Sequence, residues 1–133
     1  MASHQLHLSL ITPEAKIFES DVDFVALPAH DGEVGIMFNR APLICQLGAG
    51  LMKARTGNEE QAWFVDAGFV QVLDNRVVVL TQKAIKPEQI NREEAARQLE
   101  ETRQLPTNTD EQARKRARIQ ASARAKIHAA GAS

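Results

Sequence analysis

His30-Asp31-Gly32-Glu33 is the one stretch of this chain that sets an imidazole and two carboxylates side by side. Such groups can act as general acid and base or hold a divalent cation. Their surroundings point elsewhere. The other histidines, His4, His7 and His128, make no HxxxH spacing, and a single cysteine, Cys45, excludes any CxxC pair. An Asp-Gly pair between two apolar runs is what a tight turn requires. The stretch therefore reads as a loop for contact, with no catalytic residue, no metal and no cofactor. Gly48-Ala49-Gly50 lacks the lysine and helix start of a phosphate-binding loop, so it too reads as a turn. Cys45 reads as a small hydrophobe in a strand; one cysteine forms no intramolecular disulfide and suits a reducing compartment.

The second candidate is basic. Arg114, Lys115, Arg118 and Lys126 fall on one arc when residues 110–130 are wound as a helix, where six basic residues face two acidic ones. Ile119, Ala123, Ile127 and Ala130 form a narrow apolar stripe beside that arc, within about 80° of each other at 100° per residue. The arc is either a solvated face or a contact for an acidic protein surface. No aromatic residue interleaves with the charges, which disfavours single-stranded nucleic acid.

The elements that carry these residues are of two kinds. All nine valines precede Lys86-Pro87, whereas ten alanines follow it. Leu6, Leu8 and Leu10 alternate with His7 and Ser9, the period of a half-buried strand. Further short apolar runs follow, separated by Thr12-Pro13, His30-Asp31-Gly32, Gly48-Ala49-Gly50, Thr56-Gly57-Asn58 and Asp74-Asn75. About nine or ten such strands with no helix between them imply an antiparallel β sandwich or flattened barrel over residues 1–86.

Residues 87–133 contain no valine and are rich in Ala, Glu and Arg. Asn91 and Glu94 form one helix-start signal, Thr109 and Gln112 another, and Pro106 separates them. The expectation is a two-helix antiparallel hairpin whose second helix ends near Gly131. Forty-seven residues with so few large side chains cannot fold stably alone. The hairpin is expected to dock on the β unit or on a partner, as a movable arm hinged at residues 87–90.

Charge and hydropathy exclude other classes. The net charge of −1 divides into −3 for residues 1–86 and +2 for residues 87–133, not the balance of a nucleic-acid-binding chain. The longest apolar runs, Val77 to Leu80 among them, are far short of the ~20 residues that span a bilayer. The N-terminus shows neither a signal-peptide nor a transit-peptide pattern. A soluble protein of cytosolic origin is expected, without direct membrane insertion.

Several segments together resemble the epsilon subunit of bacterial F-type ATP synthases, equivalent to the mitochondrial delta subunit. They are Leu8-Ser9-Leu10-Ile11-Thr12-Pro13-Glu14, then Val25 through Ile36 followed by Ala41-Pro42-Leu43, then Gly68 through Leu80. The resemblance implies a non-catalytic rotor subunit of a proton-translocating enzyme, peripheral on the cytoplasmic face of the inner membrane. Its implied partners are the gamma subunit and the c-ring, and the catalytic beta subunits when the arm is extended. Asp31, Glu33, Asn39 and Arg40 are the implied c-ring or gamma contacts. Arg114, Lys115, Arg118 and Lys126 would form the regulatory face of the arm, and Ile119 and Ile127 would dock it. Two segments depart from the family pattern. Met37-Phe38-Asn39-Arg40 replaces a Leu-Pro-(Gly or Asn)-His turn. Ile90-Asn91-Arg92-Glu93-Glu94-Ala95 replaces the nucleotide-sensing Ile/Leu-Asp-x-x-Arg-Ala, which implies weak or absent ATP binding. The rival reading is a small scaffold module that binds an acidic partner through the basic last helix.

Overall fold

The computed structural model describes residues 4–30 and 32–132. The chain divides after Ile85 into two compact units. The first holds eight strands: β1 (Leu6–Ile11), β2 (Lys16–Val22), β3 (Phe24–Ala29), β4 (Gly32–Met37), β5 (Leu43–Gln46), β6 (Gly50–Thr56), β7 (Glu59–Leu73) and β8 (Arg76–Ile85). They pair in the order β2-β1-β8-β7-β6-β3-β4, with β5 beside β7. Every pairing is antiparallel except β1 with β8, which run parallel with Leu8 opposite Val77 and Leu10 opposite Val79.

The unit has eight strands rather than nine or ten because two expected strands, around Ala62–Val65 and Phe69–Leu73, are one. β7 bends between them instead of ending. Ala67 (φ 62°) and Gly68 (φ 129°) carry the bend. Its inward residues change parity there, from Trp63 and Val65 to Val70 and Val72. A strand whose period is two can do this only by a local twist or kink. Glycine is required at 68, since a Cβ there would run into the Leu80 carbonyl oxygen. The bend lets one hydrogen-bonded path curl so that both of its ends contribute to a common core. Leu6, Leu8, Leu10, Val25, Leu27, Ile36, Met52, Val77 and Val79 join the β7 residues in it.

The second unit opens with a 3₁₀ turn, Pro87–Gln89. Helix α1 (Arg92–Glu101) is capped by Asn91, whose side chain accepts the Glu94 amide at 3.0 Å. A further 3₁₀ turn at Thr102–Gln104 precedes α2 (Asp110–Ala132). Both halves of a capping box start α2: the Gln112 amide donates to Thr109 Oγ1 at 3.1 Å, and the Thr109 amide donates to Gln112 Oε1 at 3.3 Å. The chain turns back through residues 105–109 and α2 packs on α1, with Ala95 and Ala123 buried. The helix runs one residue past Gly131, because glycine permits a helix to end without forcing it to.

Candidate interaction surfaces

The β3–β4 hairpin carries the first group of expected contacts. Glu33 is exposed and pairs across the hairpin with Pro28. His30 is exposed at the tip, and its backbone N–H donates to the Gln46 carbonyl at 3.0 Å. Asp31 lies outside the described residues. Asn39 and Arg40, both exposed, sit beyond the other end of β4. There Arg40 N–H closes a turn on the Met37 carbonyl at 3.1 Å, and Asn39 adopts a left-handed φ of 66°. The Asn39 amide donates to Asn75 Oδ1 at 2.6 Å, tying this loop to the β7–β8 turn. At about 3.3 Å per residue, roughly 13 Å of strand separates Glu33 from Met37. The structure brings Asn39 and Arg40 together and holds Glu33 apart from them.

Between these two ends lies an apolar surface that sequence reasoning did not single out. Ile44, Phe69 and Leu80 are 73%, 56% and 50% exposed, and Leu73 is also exposed. Register explains their company. Phe69 faces Leu80 across β7–β8, Leu80 faces Ile11 across the parallel pair, and Ile44 faces Gln71 across β5–β7. All project from the side opposite the Val70, Val72, Val77 and Val79 core. The β7 bend leaves a concavity of about 410 Å³ there, lined by Ile11, Pro13, Ala67, Phe69 and Leu80 among others. A shallower one is lined by Pro42, Leu43, Ile44 and Leu73. Clustered exposed apolar side chains of this size mark a docking face. The available signal was Leu43-Ile44-Cys45, an apolar run too continuous for a strand with one wet side. Cys45 itself is partly buried and packs against the core.

The same outward side carries an ionic group, also missed. His7 on β1 stands between Asp21 and Glu19 on β2, and Lys16 pairs with Glu19. The outward position of His7 was readable from alternation. The register that brings β2 opposite it was not.

In the second unit, Arg114, Lys115 and Arg118 are exposed and Lys126 is half-buried. Spacing of four residues places Arg114 and Arg118 on neighbouring turns of α2. Ile119 and Ile127 are partly buried, while Ala123 and Ala129 are fully so. The stripe and the basic face are thus parts of one helix, with the smallest side chains most enclosed. Among the described residues no group of His, Cys, Asp and Glu side chains is placed to hold a metal ion.

Comparison with known proteins gives these surfaces a context. Residues 5–87 match the model of the ATP synthase delta/epsilon chain β-sandwich domain. An ATP synthase epsilon chain of Rhodopirellula baltica is 42% identical over 104 residues, covering 78% of this chain and 81% of the relative. That of Rubrobacter xylanophilus is 34% identical over 127 residues, covering 92% and 86%. A chain of the Euglena gracilis mitochondrial ATP synthase, in a cryo-EM structure of its OSCP/F1/c-ring, superposes with a TM-score of 0.83 at 21% identity, covering 98% of this chain and 83% of that one. One from the central stalk/c-ring structure of the Tetrahymena thermophila enzyme gives 0.78 at 15% identity, covering 98% and 99%. These structures share the fold, and the sequence matches decide the family. The chain belongs to the ATP synthase delta/epsilon family, and its relatives are epsilon chains.

Proposed function

We infer that this chain is a non-catalytic central-stalk subunit of an F-type ATP synthase, joining the gamma subunit to the c-ring. The observation that carries this reading is the epsilon-chain match, which extends through the whole β unit and, in one relative, over nine-tenths of the chain. The two-ended arrangement of the β unit supports a division of contacts. The apolar surface of Ile44, Phe69, Leu73 and Leu80, bordered by Asn39 and Arg40, suits a large protein partner such as gamma. The hairpin end that carries the exposed Glu33 suits the polar loops of a c-ring. No described helix is long and apolar enough to cross a membrane, so attachment to the cytoplasmic face of the inner membrane would run through these partners.

The helical unit is the regulatory arm in this reading. Extended along gamma, α2 would set Arg114, Lys115, Arg118 and Lys126 against acidic segments of the beta subunits and oppose rotation in the hydrolytic direction. Ile119 and Ile127 would dock it when folded down. Two dockings of one element need differ by only a few kcal/mol for conditions to shift the populations. Asn91 is engaged as a helix cap, and Glu94 stands where the nucleotide-sensing signature has arginine. The isolated chain should therefore bind ATP weakly or not at all, and titration calorimetry showing micromolar affinity would contradict this.

Purification of the tagged chain from membranes tests the assignment: alpha, beta, gamma and c subunits should accompany it, and recovery of the chain alone overturns it. Deleting residues 87–133 should raise ATP hydrolysis by the assembled enzyme while coupling persists. Unchanged hydrolysis would remove the brake.

A further inference from the structure

Edge strand β2 has one ladder partner, β1, with a single side-chain bond from β6, where the Thr56 hydroxyl donates to the Asp21 carbonyl at 3.4 Å; the two ends of the β1–β2 ladder are fastened differently. At the turn end, Thr12 binds the Ala15 carbonyl through both its amide (2.9 Å) and its hydroxyl (3.2 Å). At the other end, just before Asp23 N–H donates to the Arg55 carbonyl at 2.7 Å, His7 faces Asp21 in register. His7 Nδ1 lies 2.9 Å from Asp21 Oδ1, and His7 Nε2 lies 2.7 Å from Glu19 Oε2. The other Glu19 oxygen accepts from Lys16 Nζ at 2.9 Å.

A neutral imidazole has one N–H donor and one acceptor. In either tautomer, one ring nitrogen of His7 would then present a lone pair to a carboxylate oxygen. Only the imidazolium donates on both sides. We propose that His7 is a proton-operated clamp that locks edge strand β2 onto β1 when protonated and releases it when neutral.

The charged groups around His7 fit this role. From β2 come Asp21, Glu19 and, through Glu19, Lys16. From β8 comes Arg76, the register partner of His7, whose charge opposes protonation. Asp74 belongs to the β7–β8 turn, where the Asn75 carbonyl accepts the His7 backbone N–H at 2.8 Å. The carboxylates prevail: the His7 pKa stands above its ordinary 6.5, raised first by the hydrogen bond to Asp21 and then by that to Glu19. Because the folded-state value is the higher one, the stabilisation is complete below the ordinary imidazole range. It is lost as pH rises through the raised value. The clamp closes on the acid side and opens on the alkaline side.

The experiment is an NMR titration of the full chain combined with amide exchange of β2, corrected for intrinsic exchange rates. His7 should titrate above the ordinary value, and D21N and E19Q should each lower its pKa. Protection of the β2 amides should fall about two- to fivefold as His7 deprotonates, the range set by partly exposed ion pairs. H7Q should lack this step while β7 protection is unchanged. A His7 pKa at or below 6.5 overturns the proposal. So does a pH step in β2 that survives in H7Q, or a titration of His7 that leaves β2 protection flat.

Discussion

The two units of this chain are held by different forces. The β unit has a core of large side chains: Leu6, Leu8, Leu10, Leu27, Ile36, Met52 and Phe64 are all fully buried. In the helical unit the buried hydrophobic residues, among those described, are Ala95, Ala123 and Ala129, beside Pro87 in its opening turn. Burying a leucine is worth about 1.5–3 kcal/mol, and a methyl or methylene group only about 0.8 kcal/mol. The β unit is therefore specified by non-local packing that few single changes can move. The helical unit is specified by local rules, its caps and its alanine content, and gains little from its own interior. A rotor needs a rigid coupling element and a regulator needs an element that can leave its seat. The distribution of side-chain size suits the division of labour proposed above.

A direct challenge to this contrast is to separate the units. Residues 86–133 as a peptide should lose most of their helix at 25 °C, since marginal helices of this kind depend on tertiary packing. Residues 1–85 should retain a cooperative unfolding transition. Circular dichroism of the two pieces checks both, and a cooperative transition in the helical peptide would contradict the difference.

Within the β unit the bend of β7 should be the least tolerant backbone position. Gly68→Ala places a methyl group on the Leu80 carbonyl and holds alanine at φ 129°. A loss of about 3 kcal/mol or more is expected, read from the urea midpoint. Gly57, at φ 62° with nothing within 4 Å of a Cβ, is the control. Gly57→Ala should cost only about 1–2 kcal/mol. Equal losses would show that conformation, not the close approach to β8, governs the bend.

The same contrast decides what could be read from the sequence. The helical unit was readable nearly residue by residue, because Asn91, Thr109 and Gln112 act on neighbours three residues away. Strand positions in the β unit were readable from alternation, and the turn at Asp74-Asn75 from its composition. The continuity of β7 was not, because Ala67-Gly68 looks like a turn and its bend is set by β8 across the sheet. The parallel pairing of β1 with β8 joins residues some seventy positions apart and leaves no local trace. The Ile44–Phe69–Leu80 surface and the His7 group escaped for the same reason. Each is assembled by register between strands, and register is a property of pairs. Of the expected contacts, Asn39 and Arg40 share a loop, but their separation from Glu33 depends on β4 lying between them.

If local rules hold the helical unit, its cap should matter more than any of its ion pairs. Thr109→Ala removes the hydroxyl that accepts the Gln112 amide. About 1 kcal/mol of local stability should be lost, seen as faster amide exchange in the first turn of α2. β7 amides should be unaffected. A change in β7 would mean the two units share stability, which the size of their cores does not require.

The smallest effect expected is electrostatic, and it falls on the β unit. Glu19 is held down from its ordinary 4.5 to about 2, chiefly by the hydrogen bond from His7 and then by that from Lys16. The Asp23 carboxyl is lowered as well, first by the Gly57 amide and then by Gln5. A carboxylate with a depressed folded-state pKa adds stability above its ordinary value and gives it up as pH falls toward the depressed one. The urea midpoint of the β unit should therefore decline as pH falls from about 4.5 to about 2, and E19Q should flatten that decline. The matching change in the helical unit is E100Q. Glu100 pairs with Arg103 at 3.1 Å, with about two-thirds of each side chain exposed. An exposed pair of this kind contributes little, so E100Q should leave the acid profile as it was. Should E19Q leave the acid slope unchanged while E100Q reduces it, charge would be doing in the helical unit what packing and register do in the sheet. The contrast between the two units would then fail at its weakest interaction.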